Sequence, residues 1–250
     1  MKHRAANWII SGLFLLWTAA GTSSYAFSSP VPAAGEQSLE APDGIRLIVK
    51  MIGPATQKTD LQIICLLQHD SAGDQYLEAM KDLDAKLGGL LSSLRNRGEF
   101  SGESGETFIF TPPPNSIEAK QVLLIGVGAE SELSLDRLKL AGRIAAREAV
   151  RLNAAHVSFA PTLRDQGSRR IDVGEGDGAV AEQFLLAYDT EKRLQAEGLS
   201  PRDDLQDFTI EAGPRFFDSA VEKVKAAIDS AAAQIKERAA APYHTDASGK

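Results

Sequence analysis

The chain has 250 residues, 43% of them hydrophobic and 24% charged, with 21 Gly and 11 Pro, which excludes disordered, fibrous and collagen-like classes. A chain of this size buries roughly 70% of the surface its unfolded form exposes, so it builds a core without disulfides, and its single Cys forms no intrachain bridge. With 27 basic residues against 34 acidic ones the net charge is −7, and no long basic block supplies the footprint that nucleic acid requires.

Lys2 and Arg4 precede an apolar run from Trp8 to Ala20, shorter than the ~20 residues of an ordinary membrane span. Ser24 and Ala26 place small residues three and one before a cut, so residues 1–26 read as a signal peptide cleaved after Ala26. Val31-Pro32-Ala33 is a second small-residue site, and no Cys stands near either one to carry a lipid. The competing reading is an uncleaved membrane anchor. Cleavage removes two basic residues and leaves a charge of −9, so the mature chain is expected to be an acidic periplasmic or extracellular protein, off the membrane.

Residues 27–40 read as a Ser/Pro/Gly linker, 41–240 as one domain and 241–250 as a disordered polar tail. Within the domain, Ile45 to Met51 alternates as a strand, and Leu61 to Leu67 is a continuous apolar strand. Tyr76, Met80, Leu83, Leu87, Leu91 and Leu94 share one helical face, which predicts a single long helix breaking near Gly98. Thr107 to Phe110 and Gln121 to Val127 read as strands. A helix from Ser134 to Leu152 carries a small-residue face around Gly142, expected to pack closely on a sheet. A strand at Val157 to Ala160, a helix at Ala179 to Tyr188, a strand at Phe208 to Glu211 and a helix from Asp218 to Ala239 complete the pattern. Strands and helices alternating in this way predict an α/β fold, a mixed and largely parallel sheet covered by helices.

Three features invite a chemical reading. Gly126-Val127-Gly128, at a strand end ahead of a helix, makes Gly126 and Gly128 the candidate ligand-binding residues, because glycines let backbone N–H groups approach a phosphate. The competing reading is a tight turn, since Ser131 replaces the third Gly of the dinucleotide fingerprint. Asp172-Val173-Gly174-Glu175-Gly176-Asp177-Gly178 gathers three acids, but at positions unlike an EF-hand, so it reads as a solvated loop capping the next helix. The acidic stretch Glu99 to Glu106 is read as solvated too. Cys65 lies in an apolar strand and reads as a buried small hydrophobe; His69, His156 and His244 are scattered, so no catalytic residue, metal site or cofactor is expected.

Three stretches, in order, carry a family resemblance. They are Arg97-Gly98-Glu99-Phe100-Ser101-Gly102-Glu103-Ser104-Gly105-Glu106; Val122-Leu123-Leu124-Ile125-Gly126-Val127-Gly128 with its following helix through Ala141-Gly142 and Ala145-Ala146-Arg147; and Val180-Ala181-Glu182-Gln183-Phe184-Leu185-Leu186-Ala187-Tyr188-Asp189. Together they resemble the amino-terminal domain of the leucyl (cytosol) aminopeptidase family of zinc peptidases. The resemblance spans about residues 45 to 240 and implies a macro-domain-like α/β sandwich. The family's activity belongs to a following two-metal domain with an Asn-Thr-Asp-Ala-Glu-Gly-Arg stretch, and these 250 residues contain no such stretch. The resemblance therefore implies the fold without the peptidase activity. Since this domain helps pack subunits in the family, a protein partner or self-association is the first functional expectation. An ADP-ribose-like or nucleotide ligand is the second, and an accessory role to a separately encoded catalytic half is the third.

Overall fold

The computed structural model describes residues 35–240. The expected signal peptide with its expected cut after Ala26, residues 27–34 of the expected linker and the tail from 241 onward lie outside the described residues.

Seven strands form one sheet: β1 (Glu36–Glu40), β2 (Arg46–Lys50), β3 (Thr59–Leu66), β4 (Thr107–Phe110), β5 (Ala119–Gly126), β6 (His156–Ala160) and β7 (Asp207–Glu211). Their order is β1-β2-β7-β6-β3-β5-β4. The edge strands β1 and β4 run antiparallel to their neighbours and the inner pairs are parallel. Residues 36–40 thus correct the linker reading: this polar stretch is an edge strand, tied in register by a Glu36–Lys50 ion pair of 3.1 Å. An edge strand shows one side to water, so its sequence lacks the apolar signature of a central strand.

The helices are α1 (Glu78–Lys86), α2 (Leu90–Asn96), α3 (Leu135–Arg151), α4 (Val173–Ala196) and α5 (Phe217–Ala240). On one face of the sheet, Leu61, Ile63 and Cys65 of β3, Leu123 and Ile125 of β5 and Phe208 of β7 share a core with the apolar faces of α3, α4 and α5. On the other face, Ile64, Leu66, Val122 and Leu124 pack with Met80 and Leu83 of α1 and Leu91 and Leu94 of α2. Burial from both sides is why β3 and β5 read as unbroken apolar runs.

The single helix expected from Tyr76 to Leu94 is two short ones. Gly88 and Gly89 take positive φ of 70° and 78°, which ends α1, and Asp84 then accepts hydrogen bonds from the Leu91 and Ser92 amides at the start of α2. The apolar spacing survives the break because both helices lie on the same sheet face, so periodicity alone could not reveal it.

Gly142 does serve a close approach, but to a helix and not to the sheet. A Cβ there would sit 2.4 Å from the Val180 carbonyl oxygen of α4. The Gly-rich run also belongs to α4, which begins at Val173 and not at Ala179. A Cβ on Gly174 would meet Ser219 of α5 at 2.2 Å, and one on Gly178 would lie 3.1 Å from the Lys223 carbonyl. Glycines four apart let α5 lie against α4, while Gly176 faces Leu138 of α3. The solvated-loop reading of 172–178 is therefore overturned: the run is the first two turns of a packed helix, capped by Asp172, whose Oδ1 accepts from the Glu175 amide at 3.2 Å.

Candidate functional site

The chain leaving β3 turns to α1 on one face of the sheet, and the chain leaving its neighbour β6 turns to α4 on the other. Connections that diverge from adjacent parallel strands leave a crevice beyond their carboxyl ends, where α/β folds bind ligands. A cleft of about 260 Å³ lies there, bounded by Ala160 to Asp165 after β6, the first turn of α1, the first turns of α4 and Glu211 with Phe216 after β7.

Its polar chemistry is unusual. Asp177, 0% exposed on α4, lines the cleft, and neither of its carboxyl oxygens has a hydrogen-bond partner among the described residues. Burial, helped by the charge of Asp172, pushes its pKa well above the usual carboxylate range. Glu211, 6% exposed at the end of β7, accepts from the Ser158 hydroxyl at 2.6 Å through Oε1, while Oε2 has no partner. Burial pushes Glu211 up to about 7, against the weaker opposing effects of Ser158, Gln62 and Lys50. Asp165 is raised to about 6 by burial and by the charge of Glu78. Three guanidinium groups, Arg164, Arg169 and Arg215, line the same space, and Arg164 and Arg215 each stand 5.8 Å from the Phe216 ring. The Nε of Arg164 is buried and has no partner among the described residues.

The backbone is strained at the same place. Thr162 has φ +54° and Glu78 φ +38°, and a β-branched residue at positive φ costs on the order of 1–3 kcal/mol. Thr162 is held there by its hydroxyl, which donates to the Cys65 carbonyl at 2.7 Å. Unpartnered buried acids normally lower stability, and native folds keep few of them. Their gathering in one cleft marks this place over a wider depression of about 650 Å³ near His69 and Ser131, which none of them lines.

Gly126 and Gly128 lie elsewhere and line neither cavity. The amides of Gly126, Val127 and Gly128 donate to the carbonyls of Glu106, Leu66 and Gly102 at 2.8, 2.9 and 3.0 Å, so no N–H is left for a phosphate. A Cβ on Gly126 would come within 2.0 Å of the Glu103 oxygen. Glycine is required here because the 101–106 loop crosses the strand end, which corrects the ligand reading in favour of the turn. That loop is not a loose acidic hairpin either: Glu106 folds back to accept from the Ser101 hydroxyl and the Ser101, Gly102 and Glu103 amides. Burial alone would raise the Glu106 pKa, but these donors hold it below the usual value.

Residues 67–196, just over half of the chain, match the model of the cytosol aminopeptidase family's N-terminal domain. The chain belongs to the cytosol aminopeptidase family. A probable cytosol aminopeptidase of Pseudomonas syringae pv. tomato is 35% identical over 101 residues, covering 40% of this chain and 19% of that protein. One from Thermosynechococcus vestitus is 30% identical over 115 residues, covering 46% and 22%. The aligned stretches thus span about a fifth of these relatives' length.

Solved structures agree on the architecture. A tomato leucine aminopeptidase mutant superposes with a TM-score of 0.57 at 22% identity, over 79% of this chain and 38% of that one. A macrodomain of Oceanobacillus iheyensis gives 0.55 at 12% identity, over 78% and 98%, and a structure of that macrodomain with ADP gives 0.52. These likenesses show the fold: the macro-domain-like α/β sandwich of the cytosol aminopeptidase N-terminal domain. The two loops that interlock at Gly126 and all of the α4 Gly run fall inside the family match, whereas Glu211 and Phe216 fall outside it.

Cys65 is fully buried within β3, and burial drives its thiol pKa far up, so the thiolate needed for nucleophilic or metal chemistry is suppressed. His69 pairs with Asp74 at 3.0 Å and His156 with Asp207 at 2.9 Å, each in its own corner of the fold. Among the described residues no group of three or more His, Cys, Asp or Glu is placed to hold a metal ion. Sequence reasoning missed Asp177 and Glu211 as site residues. The available signal was an acid inside a Gly-rich helix start and an acid ending a strand that carries Phe208 and Ile210.

Proposed function

We propose that this chain is an exported, non-catalytic binding domain of the cytosol aminopeptidase family, and that a small ligand occupies the cleft beyond β6 and β7. The observation that carries this reading is Asp177, a fully buried carboxyl that lines the cleft with both oxygens unpartnered. A buried acid without partners is tolerated where a ligand supplies them. Cleft ligands are therefore placed ahead of the protein partner that the sequence ranked first. The macrodomain solved with ADP shares the fold, and nucleotides belong in the first ligand panel for that reason.

The test is differential scanning fluorimetry of the purified chain against nucleotides, amino acids and short peptides. A ligand at a hundred times its Kd adds about 2.7 kcal/mol of stability, which shifts the melting temperature visibly. Ala79→Trp, which fills the mouth of the cleft, should abolish the shift, and a shift that survives it refutes the cleft. Export is checked by N-terminal sequencing of the protein outside the cytoplasm, expected to begin at Phe27. The non-catalytic reading predicts no hydrolysis of Leu-linked chromogenic amides with zinc, manganese or cobalt, and metal-dependent turnover by the pure chain overturns it.

A second reading is association with another polypeptide, a separately encoded catalytic half among the candidates. It is favoured by the relatives themselves, in which the aligned stretch is about a fifth of the length and is joined to further polypeptide. Co-purification of a protein bearing the family's metal-ligand motifs would support it.

A further inference from the structure

We infer that the cleft takes a small uncharged molecule whose buried end is a primary carboxamide or a lactam, paired edge to edge with the Asp177 carboxyl. This inference rests on the cleft being the binding site.

The two faces of the sheet give the cleft two chemically different sides. In β7, Phe208 and Ile210 belong to the core under α3, α4 and α5, so strand alternation turns Glu211 to the opposite face, where it meets Ser158. Asp165 accepts from the Ala79 and Met80 amides at the start of α1, the helix of that opposite face. Asp177 is on the other side. It stands one and two helical turns before Ala181 and Phe184, on the stripe of α4 whose Phe184 stacks on Phe208 with ring centroids 3.7 Å apart. On this side the cleft is lined by Leu133, Leu138, Leu163 and Ile171, which belong to that core or pack against it.

The Asp177 side chain is 0% exposed, no donor among the described residues reaches either oxygen, and the charge that acts on it is that of another acid, Asp172. Such surroundings favour the protonated form. A protonated carboxyl is neutral and carries one O–H donor beside one carbonyl acceptor, and here neither is used. Its complement is a group that offers one acceptor and one donor side by side at the same spacing. Primary carboxamides and lactams have that edge. A peptide bond does not, because its trans geometry puts N–H and C=O on opposite sides. A hydroxyl is a single atom and meets one carboxyl oxygen only. An ammonium or guanidinium group would require Asp177 to lose its proton and would itself be desolvated among leucines. The volume of about 260 Å³ and the apolar walls suit a molecule built on one small ring.

The test is a melting-temperature titration of the purified chain, with ligand-observed NMR for weak binders, using benzamide, 2-piperidone, N-methylbenzamide, benzyl alcohol, benzylamine, leucyl-leucine and ADP-ribose. The expected result is saturable binding of benzamide or 2-piperidone that is lost in Ala79→Trp. Binding should be at least tenfold weaker for benzyl alcohol and for N-methylbenzamide, which keeps both amide groups but on opposite sides. Asp177→Asn should bind within threefold of the wild type, because its carboxamide offers the same donor and acceptor, whereas Asp177→Leu should lose at least tenfold. Both variants remove a buried unpaired acid at similar size, so melting temperatures at or above that of the wild type are expected, and the compound series tests the pairing without any variant at that position. Equal binding of N-methylbenzamide, or a loss in Asp177→Asn as large as in Asp177→Leu, overturns the amide pairing. Tighter binding of benzylamine than of benzamide requires an ionised Asp177 and overturns it too. Binding of leucyl-leucine or ADP-ribose alone, blocked by Ala79→Trp, overturns the amide and keeps the cleft. Silence from every compound, or binding that Ala79→Trp does not disturb, overturns both.

Discussion

Replacing Glu211 by Gln should make the folded chain more stable, by an amount that depends on pH in a defined way. The side chain is 6% exposed, and burial lifts its pKa from 4.5 to about 7 in the folded state. In the unfolded chain the same carboxyl titrates near its ordinary value. Between the two values the native state holds the extra proton, so stability falls as pH rises. The contribution of Glu211 is complete below about pH 4.5 and is lost as pH climbs through about 7. Moving the carboxyl from 4.5 to about 7 corresponds to roughly 3 kcal/mol over the whole pH window. Gln keeps the acceptor that Ser158 donates to and cannot ionise. Urea unfolding of both chains at pH 5, 6, 7 and 8 should give a difference, variant minus wild type, that grows by about 2.5 kcal/mol over this range and then levels off. A constant offset from the new amide is compatible with this, because only the slope is set by the proton. A difference that is flat with pH, or that shrinks as pH rises, refutes the burial of an ionisable Glu211.

Gly126→Ala should cost roughly 2–4 kcal/mol in urea unfolding, since its methyl would stand 2.0 Å from the Glu103 oxygen and the 101–106 loop would have to move; a neutral substitution would show that the loop does not cross there. Cys65→Ala should lower stability by about 1 kcal/mol, and native Cys65 should resist thiol reagents until the chain unfolds, because it lies buried inside β3. Rapid labelling of the folded protein would refute that placement.

Much of the fold could be read from the residue order. Continuous apolar runs marked β3 and β5 because strands buried on both faces need them, and the spacing of Val221, Val224, Ile228 and Ala231 marked α5 because a helix packs along one stripe. The sequence also determined the family, through motifs whose pairing has a geometric reason: the Gly102 to Gly105 loop and the Gly126 turn interlock, so both must keep their glycines. What only the tertiary structure decided was the meaning of polar and glycine-rich segments. Gly174, Gly176 and Gly178 break a local helix signal by composition, yet they form a helix because α3 and α5 press close enough to exclude side chains. Glu36 to Glu40 became a strand because β2 offered an edge. The cleft was invisible for the same reason. Asp177 and Glu211 lie 34 positions apart on a helix and a strand, and nothing short of the packed fold says that water has been removed from both and that they border one space. Local sequence encodes which groups can donate, accept or carry charge; burial, which sets what those groups do, is a property of the assembled layers.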